Sequence, residues 1–238
     1  MKWSFELPMS LLALDESDYS FILQPYLKYE EYYKYAKNSI KTKIIDNTAN
    51  EGFIIDIQKM VEDAIDIKAD IIVVQDHLMD FEMTRKEIDR WNVYIKKEKI
   101  RDDFKWMYVL QGKSVGEFKK SFDYVKDYAD YIGIPYMLYS LQINYDEIWN
   151  YIINENIKIH QLGVGNYEVL SKYGKFIESV DTSLPVNYAV NRYGDFKNYK
   201  KFKGVKITDN IVFDELQLKI YHDTISFLRS LEYEYSQY

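Results

Sequence analysis

Short apolar runs alternate with longer amphipathic segments along most of the chain. The runs are rich in β-branched and aromatic residues and end in polar residues or glycine, which predicts strands. They are YSFILQPYL (19–27), TKIIDNTA (42–49), ADIIVVQD (69–76), KWMYVLQG (105–112), ADYIGIP (129–135), KIHQLGVG (158–165), IESVDTSLP (177–185) and GVKITD (204–209). Because these runs are almost continuously hydrophobic, they are typical of parallel strands buried on both faces.

Amphipathic segments that predict helices follow each of these runs. They are EEYYKYAKNS (30–39), FIIDIQKMVEDAIDI (53–67), EIDRWNVYIKKEK (87–99), GEFKKSFDYVKDY (116–128), YDEIWNYIINEN (145–156), NYEVLSKYGK (166–175), a segment around 186–200, and DELQLKIYHDTISFLRSLE (214–232). Eight strands alternating with eight helices predict one α/β domain over residues 1–238, a (β/α)₈ TIM-type barrel. An open doubly wound sheet is the alternative, and the N-terminal stretch resembles a linker.

Composition narrows the classes of protein to consider. The 238 residues are 47% hydrophobic, which is enough for a substantial core. No apolar run is long enough to span a membrane, and no signal peptide is evident, so we expect no membrane association. The chain has no cysteine, which excludes disulfides and thiolate metal sites and suits the cytoplasm, that of the host if the protein is viral. A net charge of −7 argues against a non-specific binder of polyanions.

Polar residues and glycines lie where the predicted strands end. They are Asp46, Asp76, Gln111, Gly133, Gly163, Gly165 and Asp181. A closed barrel brings the carboxyl ends of its strands to one mouth, where active sites of such barrels lie. Two carboxylates about 5 Å apart support double displacement at an anomeric carbon. A carboxylate beside a glutamine instead suits recognition of a ligand's hydrogen-bonding edge, and a carboxylate metal site is a third interpretation. The spacing alone leaves these three open.

The strand-end motifs, taken in order, resemble those of the queuine/archaeosine tRNA-guanine transglycosylases. HQLGVG with the later DTSLPVNYAVN is similar to the family's Gly-Val-Gly, helix and Asp-x-x-x-Pro sequence, although the arginines that follow in the family are absent. IIDNTANEG is similar to its strand-end Asp-Asn-Gly-Ala motif, and DIIVVQD to its Asp-Ile-x-Met-x-x-Asp strand. YVLQG matches Val-Gln-Gly-Gly, and YIGIP falls at Ile-Gly-Gly with one glycine kept. The resemblance covers most of residues 40–195.

The resemblance implies a base-exchange reaction. Asp181 would attack the sugar C1′ and expel guanine, leaving a covalent glycosyl-enzyme, and Asp46 would be the general acid and base. Asp76 and Gln111 would hydrogen-bond the base edge. The glycines implied in substrate binding are Gly112, Gly133, Gly163 and Gly165. A flipped base needs an aromatic platform, for which Tyr136, Tyr139 and Tyr188 are candidates.

One departure from the family concerns its zinc subdomain, which uses three cysteines and a histidine. His77, His160 and His222 lack zinc-ligand spacing, so we expect a barrel without that subdomain and with no metal or cofactor. His77 follows Asp76 and is a candidate for the mouth, whereas His160 and His222 are interpreted as structural or surface residues.

A basic, aromatic segment follows the Asp181 loop at residues 192–206. Its candidate nucleic-acid-binding residues are Arg192, Lys197, Lys200, Lys201 and Lys203, and aromatic residues alternate with them. Such a segment suits binding to phosphates with aromatic rings stacked on bases. The alternative is a solvated helix face whose aromatic residues pack on the barrel.

Three hypotheses about function follow. The first is a transglycosylase that replaces guanine in nucleic acid with a 7-deazaguanine such as preQ0 or preQ1. DNA is favoured over tRNA, because the family members that modify DNA are the more divergent ones. The second is a nucleoside or glycoside hydrolase that uses the same pair of aspartates, and the third is a non-catalytic accessory barrel. The sequence does not distinguish a homodimer from a monomer.

Overall fold

Eight parallel strands alternate with helices around a nearly closed barrel in the computed structural model, which describes residues 1–164, 167–196 and 198–235. The strands are β1 (Lys2–Phe5), β2 (Ser20–Leu23), β3 (Lys43–Asp46), β4 (Ile71–Val73), β5 (Lys105–Val109), β6 (Tyr131–Pro135), β7 (Lys158–Leu162) and β8 (Ile177–Thr182). Their order around the sheet is β1-β8-β7-β6-β5-β4-β3-β2. The predicted (β/α)₈ TIM-type barrel is therefore confirmed.

Eight α-helices accompany the strands in the described residues. They are α1 (Glu30–Asn38), α2 (Ile57–Ile67), α3 (Phe81–Glu98), α4 (Val115–Val125), α5 (Tyr145–Ile152), α6 (Tyr167–Tyr173), α7 (Leu184–Val190) and α8 (Glu215–Tyr235). A short 3₁₀ helix over Met9–Leu14 stands between β1 and β2. Among the helices of the described ranges, none is both long and apolar enough to cross a membrane.

Helix α2 shows how local sequence sets these boundaries. The Asp56 side chain accepts a hydrogen bond from the Lys59 backbone N–H, which caps the first turn, and Lys68 ends the helix in a left-handed conformation. Val61 and Ala64, whose spacing puts them on one apolar stripe of the helix, are buried against the barrel as that spacing predicts. Ile65 belongs to the same stripe by spacing, yet 60% of it is exposed, because it lies toward the edge of the buried face.

The identity of one barrel strand differs from the prediction. Residues 204–209 form loop and turn, and the place of an eighth strand is taken by Lys2–Phe5, in the stretch that resembled a linker. The reason is pairing: Lys2–Phe5 lies in parallel register with residues 179–182 of β8. Residues 204–209 pass over the mouth instead, where the Ile207 carbonyl accepts a hydrogen bond from the Met9 N–H at 2.8 Å.

The barrel closes between β1 and β2 through the loop that precedes β2. The Asp18 N–H donates to the Trp3 carbonyl at 2.7 Å, and the Trp3 N–H donates to the Asp18 carboxylate at 2.8 Å. The Phe5 N–H donates to the Ser17 hydroxyl at 2.8 Å. These bonds pair backbone groups on the side of β1 that faces away from β8, so β1 is not an unpaired edge strand.

Strand register decides which side chains share the interior. Ser4 of β1 lies beside Asp181 of β8, and His160 of β7 lies beside both Ser179 of β8 and Gly133 of β6. Neighbours in register point to the same face of a parallel sheet, so the polar side chains of β1, β7 and β8 stack inside one side of the barrel. This arrangement places polar groups directly beneath the carboxyl end of β8.

Candidate functional site

A cavity of about 690 Å³ opens at the carboxyl ends of the strands. Its lining includes five carboxyl groups: those of Glu6, Asp46, Asp76 and Asp181 follow four different strands, and that of Glu51 lies on the loop after β3. Aromatic and aliphatic side chains form the walls. Cavities of this size hold small-molecule ligands, and the C-terminal face is where barrels of this kind bind them.

Asp181 lies near the end of β8 and is 3% exposed. The Gly163 N–H lies 3.2 Å from both carboxylate oxygens, and the His160 Nε2 lies 3.0 Å from Oδ1. Burial raises the pKa of Asp181, while hydrogen bonds from Glu6 and from the Gly163 N–H lower it. The carboxylate is thus held in one orientation at the floor of the cavity, as a nucleophile requires.

His160 is buried beneath Asp181. It is fully inaccessible and stacks on Phe21 with ring centroids 5.6 Å apart. Burial lowers its pKa to about 3, so the ring is neutral at physiological pH. Since an ionised Asp181 only accepts, Nε2 carries the proton and Nδ1 accepts from the Ser179 hydroxyl at 2.8 Å. His160 was interpreted as a structural or surface residue. It is buried and structural, and it also positions Asp181.

Glu6 is a member of the site that the sequence interpretation missed. It directly follows β1, and its N–H donates to the Thr182 carbonyl at 3.0 Å. The Glu6 carboxyl group hydrogen-bonds with that of Asp181. Burial, and next the charge of Asp181, raise the pKa of Glu6 well above its ordinary value. Of the two carboxyl groups, Glu6 therefore has the higher proton affinity. The available signal was a short apolar run ending in a carboxylate, the same pattern as at the other strand ends.

Asp46 ends β3 in the same cavity. Its Oδ2 accepts from the Thr48 N–H at 2.7 Å, and Thr48 adopts a left-handed backbone conformation with φ of 52°. Burial raises the pKa of Asp46 well above its ordinary value, and the charges of Asp76, Asp181 and Glu6 add to the effect. No hydrogen bond joins Asp46 to Asp181 in the part of the chain that the structure describes.

Asp76 and Gln111, both expected to bind a base edge, are hydrogen-bonded to each other in a buried network that lines the cavity. The Gln111 Nε2 donates to Asp76 Oδ2 at 2.6 Å, and the Asn47 Nδ2 donates to Asp76 Oδ1 at 2.8 Å. Gln111 Oε1 accepts from the Met79 N–H at 2.8 Å. Burial raises the pKa of Asp76, against the opposing effect of the two amide bonds. The Gln111 side chain is thus largely occupied in holding Asp76, and Asn47 is a member of the site that the sequence analysis missed.

The predicted glycines differ in what they do. Gly163 lines the cavity with φ of +69°, and a Cβ there would lie 3.2 Å from the Tyr136 ring. A Cβ on Gly112 would lie 2.7 Å from Glu117, so this glycine permits close packing of α4 on β5. A Cβ on Gly133 would lie 3.1 Å from both Leu162 and Val109, within the barrel interior. Gly165 lies outside the described residues.

Of the three candidate platform tyrosines, Tyr136 lines the cavity. Tyr139 is turned to the helical layer, where its hydroxyl donates to Gln161 at 2.7 Å. Tyr188 is fully buried and its hydroxyl accepts from the Lys200 N–H at 3.1 Å. Phe53 and Tyr26 stand on the opposite wall of the cavity, with ring centroids 6.5 Å apart.

The basic, aromatic segment is loop after α7, not helix, and its aromatic side chains pack inward. Tyr193, Phe196 and Phe202 contact the buried Tyr188 ring. The Asn187 side chain anchors the segment by accepting from the Val205 N–H at 3.0 Å. The interpretation as packed aromatic residues is therefore correct for these rings, which leaves the basic side chains as the surface of the segment.

The predicted nucleic-acid-binding residues of that segment lie in different surroundings. Arg192 pairs with Asp214, which neutralises its charge. Lys200 lies over the Tyr193 and Phe202 rings, and Lys201 lies over Tyr136 at 5.2 Å and lines the cavity. Lys203 is exposed, and Lys197 lies outside the described residues.

The third interpretation of the strand-end carboxylates was a metal site. In the described ranges, no group of three or more acidic or histidine side chains is arranged to hold a metal ion. No model of a known protein family matches the sequence, and no curated protein matches it. Inference about function therefore rests on the geometry and chemistry of the cavity.

Proposed function

We propose that this protein is a base-exchange transglycosylase that replaces guanine in nucleic acid, DNA rather than tRNA, with a 7-deazaguanine. The observation that carries the proposal is Asp181: an immobilised carboxylate on the floor of a cavity, bonded to a second carboxyl group whose pKa is raised well above its ordinary value by burial and by the charge of Asp181. An ionised nucleophile beside a protonated acid is the pair that substitution at an anomeric carbon with retention requires.

The opposite side of the cavity supports a purine as the leaving group. Asp76 is buried, and each of its oxygens receives one amide hydrogen bond, which leaves lone pairs for further donors. A guanine presents two adjacent donors, N1–H and the exocyclic amine, on its Watson–Crick edge. Pairing that edge with the buried Asp76 carboxylate compensates for the desolvation of both groups. Phe53, Tyr26 and Tyr136 offer rings on the cavity walls for a base taken out of its stack.

Lys201 at the cavity rim and the exposed Lys203 support docking of a phosphate backbone near the mouth. Lys206 of the same segment also lines the cavity, so the proposed contact with nucleic acid is local to this side of the mouth. That suits a flipped or single-stranded nucleotide that enters the mouth. We therefore propose that the chain binds one short stretch of strand around the target base.

In the test, the protein is incubated with labelled guanine or a labelled 7-deazaguanine, together with duplex DNA, single-stranded DNA or tRNA. Label that enters DNA supports the proposal, and label that enters tRNA alone would replace DNA by tRNA as the substrate. Release of free base without incorporation would indicate a hydrolase. A denaturing gel should show a covalent protein–nucleic acid adduct in the absence of incoming base.

The matched variants are Asp181→Asn, which should lose the adduct and the exchange, and Asp103→Asn, which should keep both. Asp103 is an exposed aspartate in the turn that follows α3, away from the cavity. Exchange by Asp181→Asn at the wild-type rate would overturn the assignment of Asp181 as nucleophile. Absence of adduct, exchange and base release with every substrate would overturn the proposed function.

A further inference from the structure

Glu6 and Asp181 form a carboxyl pair across the junction of the first and last strands. Ser4 and Asp181 are register partners, so Glu6, two residues beyond Ser4, lies on the same face of the neighbouring strand, one step closer to the mouth than Asp181, and both line the cavity. The Glu6 N–H is fixed on the Thr182 carbonyl, and the Glu6 side chain bonds with Asp181. Among the carboxyl groups that line the cavity, Glu6 is the one in hydrogen-bond contact with the nucleophile.

We propose that Glu6, and not Asp46, is the catalytic acid and base that carries the proton between the leaving and the entering base. This inference rests on the proposed base-exchange function and assigns a residue role within it. Asp46 has a different role, because its carboxyl group accepts a hydrogen bond from the Thr48 N–H, and the charge of Asp76 raises its pKa more than the charge of Asp181 does.

The proton balance of the exchange closes on Glu6. In the first half, an Asp181 oxygen bonds to C1′, the C1′–N9 bond breaks with its electron pair going to N9, and the Glu6 proton goes to the departing base. In the second half, the N9–H proton of the entering base goes to the Glu6 carboxylate. The N9 electron pair then bonds to C1′, and the C1′–Asp181 bond breaks to regenerate the carboxylate. No water and no outside proton donor is consumed.

The pair also explains why the proton leaves at the right moment. Before attack, the negative charge of Asp181 favours the protonated form of Glu6. When Asp181 becomes a glycosyl ester it carries no charge, so that contribution disappears and the pKa of Glu6 falls. Bond formation at Asp181 thereby makes Glu6 a stronger acid as the base departs. The return of the carboxylate at the end of the reaction restores the original proton affinity.

Several other groups face Glu6 and act on its proton affinity. Asp46 ends β3 and Glu51 lies on the loop that follows it. Two buried tyrosines also approach Glu6, Tyr19 from just before β2 and Tyr32 from α1. The titratable groups around Glu6 are Asp181, Glu51, Asp46, Tyr19 and Tyr32. All of them are acidic groups, so each favours the protonated form of Glu6 when it is ionised. His160, which touches Asp181 from below, is neutral and does not oppose them.

The experiment compares two leaving groups in the same nucleic acid: guanine, which must be protonated to leave well, and 7-methylguanine, which already carries a positive charge and leaves neutral. Glu6→Gln preserves shape and a hydrogen-bond donor toward Asp181 but has no acidic proton. It should lower the rate of guanine exchange by about 100- to 10,000-fold and leave release of 7-methylguanine within a few-fold of wild type. The alkaline limb of the wild-type pH–rate profile should also disappear in this variant.

Two further variants separate the possible results. Glu6→Asp, which retains an acid, should keep measurable guanine exchange and the alkaline limb. Asp46→Asn should slow both substrates to a similar extent. Equal slowing of both leaving groups by Glu6→Gln, or selective loss of guanine exchange in Asp46→Asn, would overturn the proposal. A wild-type protein that neither exchanges guanine nor forms an adduct would instead refute the proposed function, so the two failures are distinguishable. Thermal unfolding of each variant reports whether its barrel is intact.

Discussion

Replacement of His160 by phenylalanine tests the support beneath Asp181, the proposed nucleophile. The histidine ring is inaccessible and stacks on Phe21, so phenylalanine preserves the ring and most of the packing. It removes the bond to the Ser179 hydroxyl, about 1 kcal/mol, and the bond to the Asp181 carboxylate, about 1.5–3 kcal/mol. The expected loss in the free energy of unfolding at pH 7 is therefore about 2.5–4 kcal/mol.

The loss should depend on pH with a definite sign. The Nε2–H bond favours the ionised form of Asp181, so its removal raises the pKa of Asp181 further. Wild type and variant should therefore differ most above about pH 6.5. The difference should shrink as the pH falls toward about 3, because the unfolded chain protonates His160 while the folded ring stays neutral, and below about pH 4 the Asp181 carboxyl group is protonated as well. In activity assays, the acid limb of the pH–rate profile should move to higher pH.

Urea unfolding followed by tryptophan fluorescence measures the free energy, with an unchanged denaturant slope as the check on two-state behaviour. Ser179→Ala removes one of the two bonds and should lose about 1 kcal/mol. His222→Phe is the matched control, because this histidine is exposed and pairs with Glu16 at the surface; it should change stability by less than about 0.5 kcal/mol. A His160→Phe variant within about 0.5 kcal/mol of wild type at pH 7 would refute the reasoning.

Other parts of the site give further tests. Burial raises the folded-state pKa of Asp46, so wild type should lose stability relative to Asp46→Asn as the pH rises from about 4 toward neutrality. Denaturant titrations of both proteins at about pH 4 and at neutral pH measure this, and the same difference in unfolding free energy at both pH values would contradict it. Gln111→Ala removes the donor that holds Asp76 and should weaken binding of free 7-deazaguanine by about 1–3 kcal/mol in calorimetry, whereas unchanged affinity would remove this network from the base site. Changing Lys200 and Lys203 together to serine should flatten the salt dependence of nucleic-acid binding and leave binding of the free base unchanged, because neither side chain lines the cavity; an unchanged slope would place docking elsewhere.

The barrel was predictable because its signal is repeated. Each buried strand carries an uninterrupted apolar run, and each ends in a polar residue that parallel topology brings to one mouth. Asp46, Asp76 and Asp181 were found in this way, and the structure brings all three to one cavity. The strand Lys2–Phe5 was missed because Lys2 and Ser4 interrupt its apolar residues, and pairing with β8 decides that they form a strand.

The distribution of charge within the site was not predictable from spacing. Glu6 and Asp181 are 175 positions apart in the sequence, and their shared proton depends on a register that only the closed barrel fixes. His160 lies in an apolar run, where a histidine is usually interpreted as part of the core. Alternation along β7 offered a signal, because His160 and the cavity-lining Leu162 are two residues apart and share a face.

Closure of the barrel by a strand from the beginning of the chain has a consequence for synthesis on the ribosome. At about 5–20 residues per second, β8 is made roughly 10–35 s after β1. During that interval the first strand has no neighbour on its β8 side, and the two members of the proposed catalytic pair belong to segments that have not yet met. We therefore expect a chaperone to bind the nascent chain at Lys2–Phe5. The proposed activity should be the last property to appear as the protein folds, later than helix content and compactness.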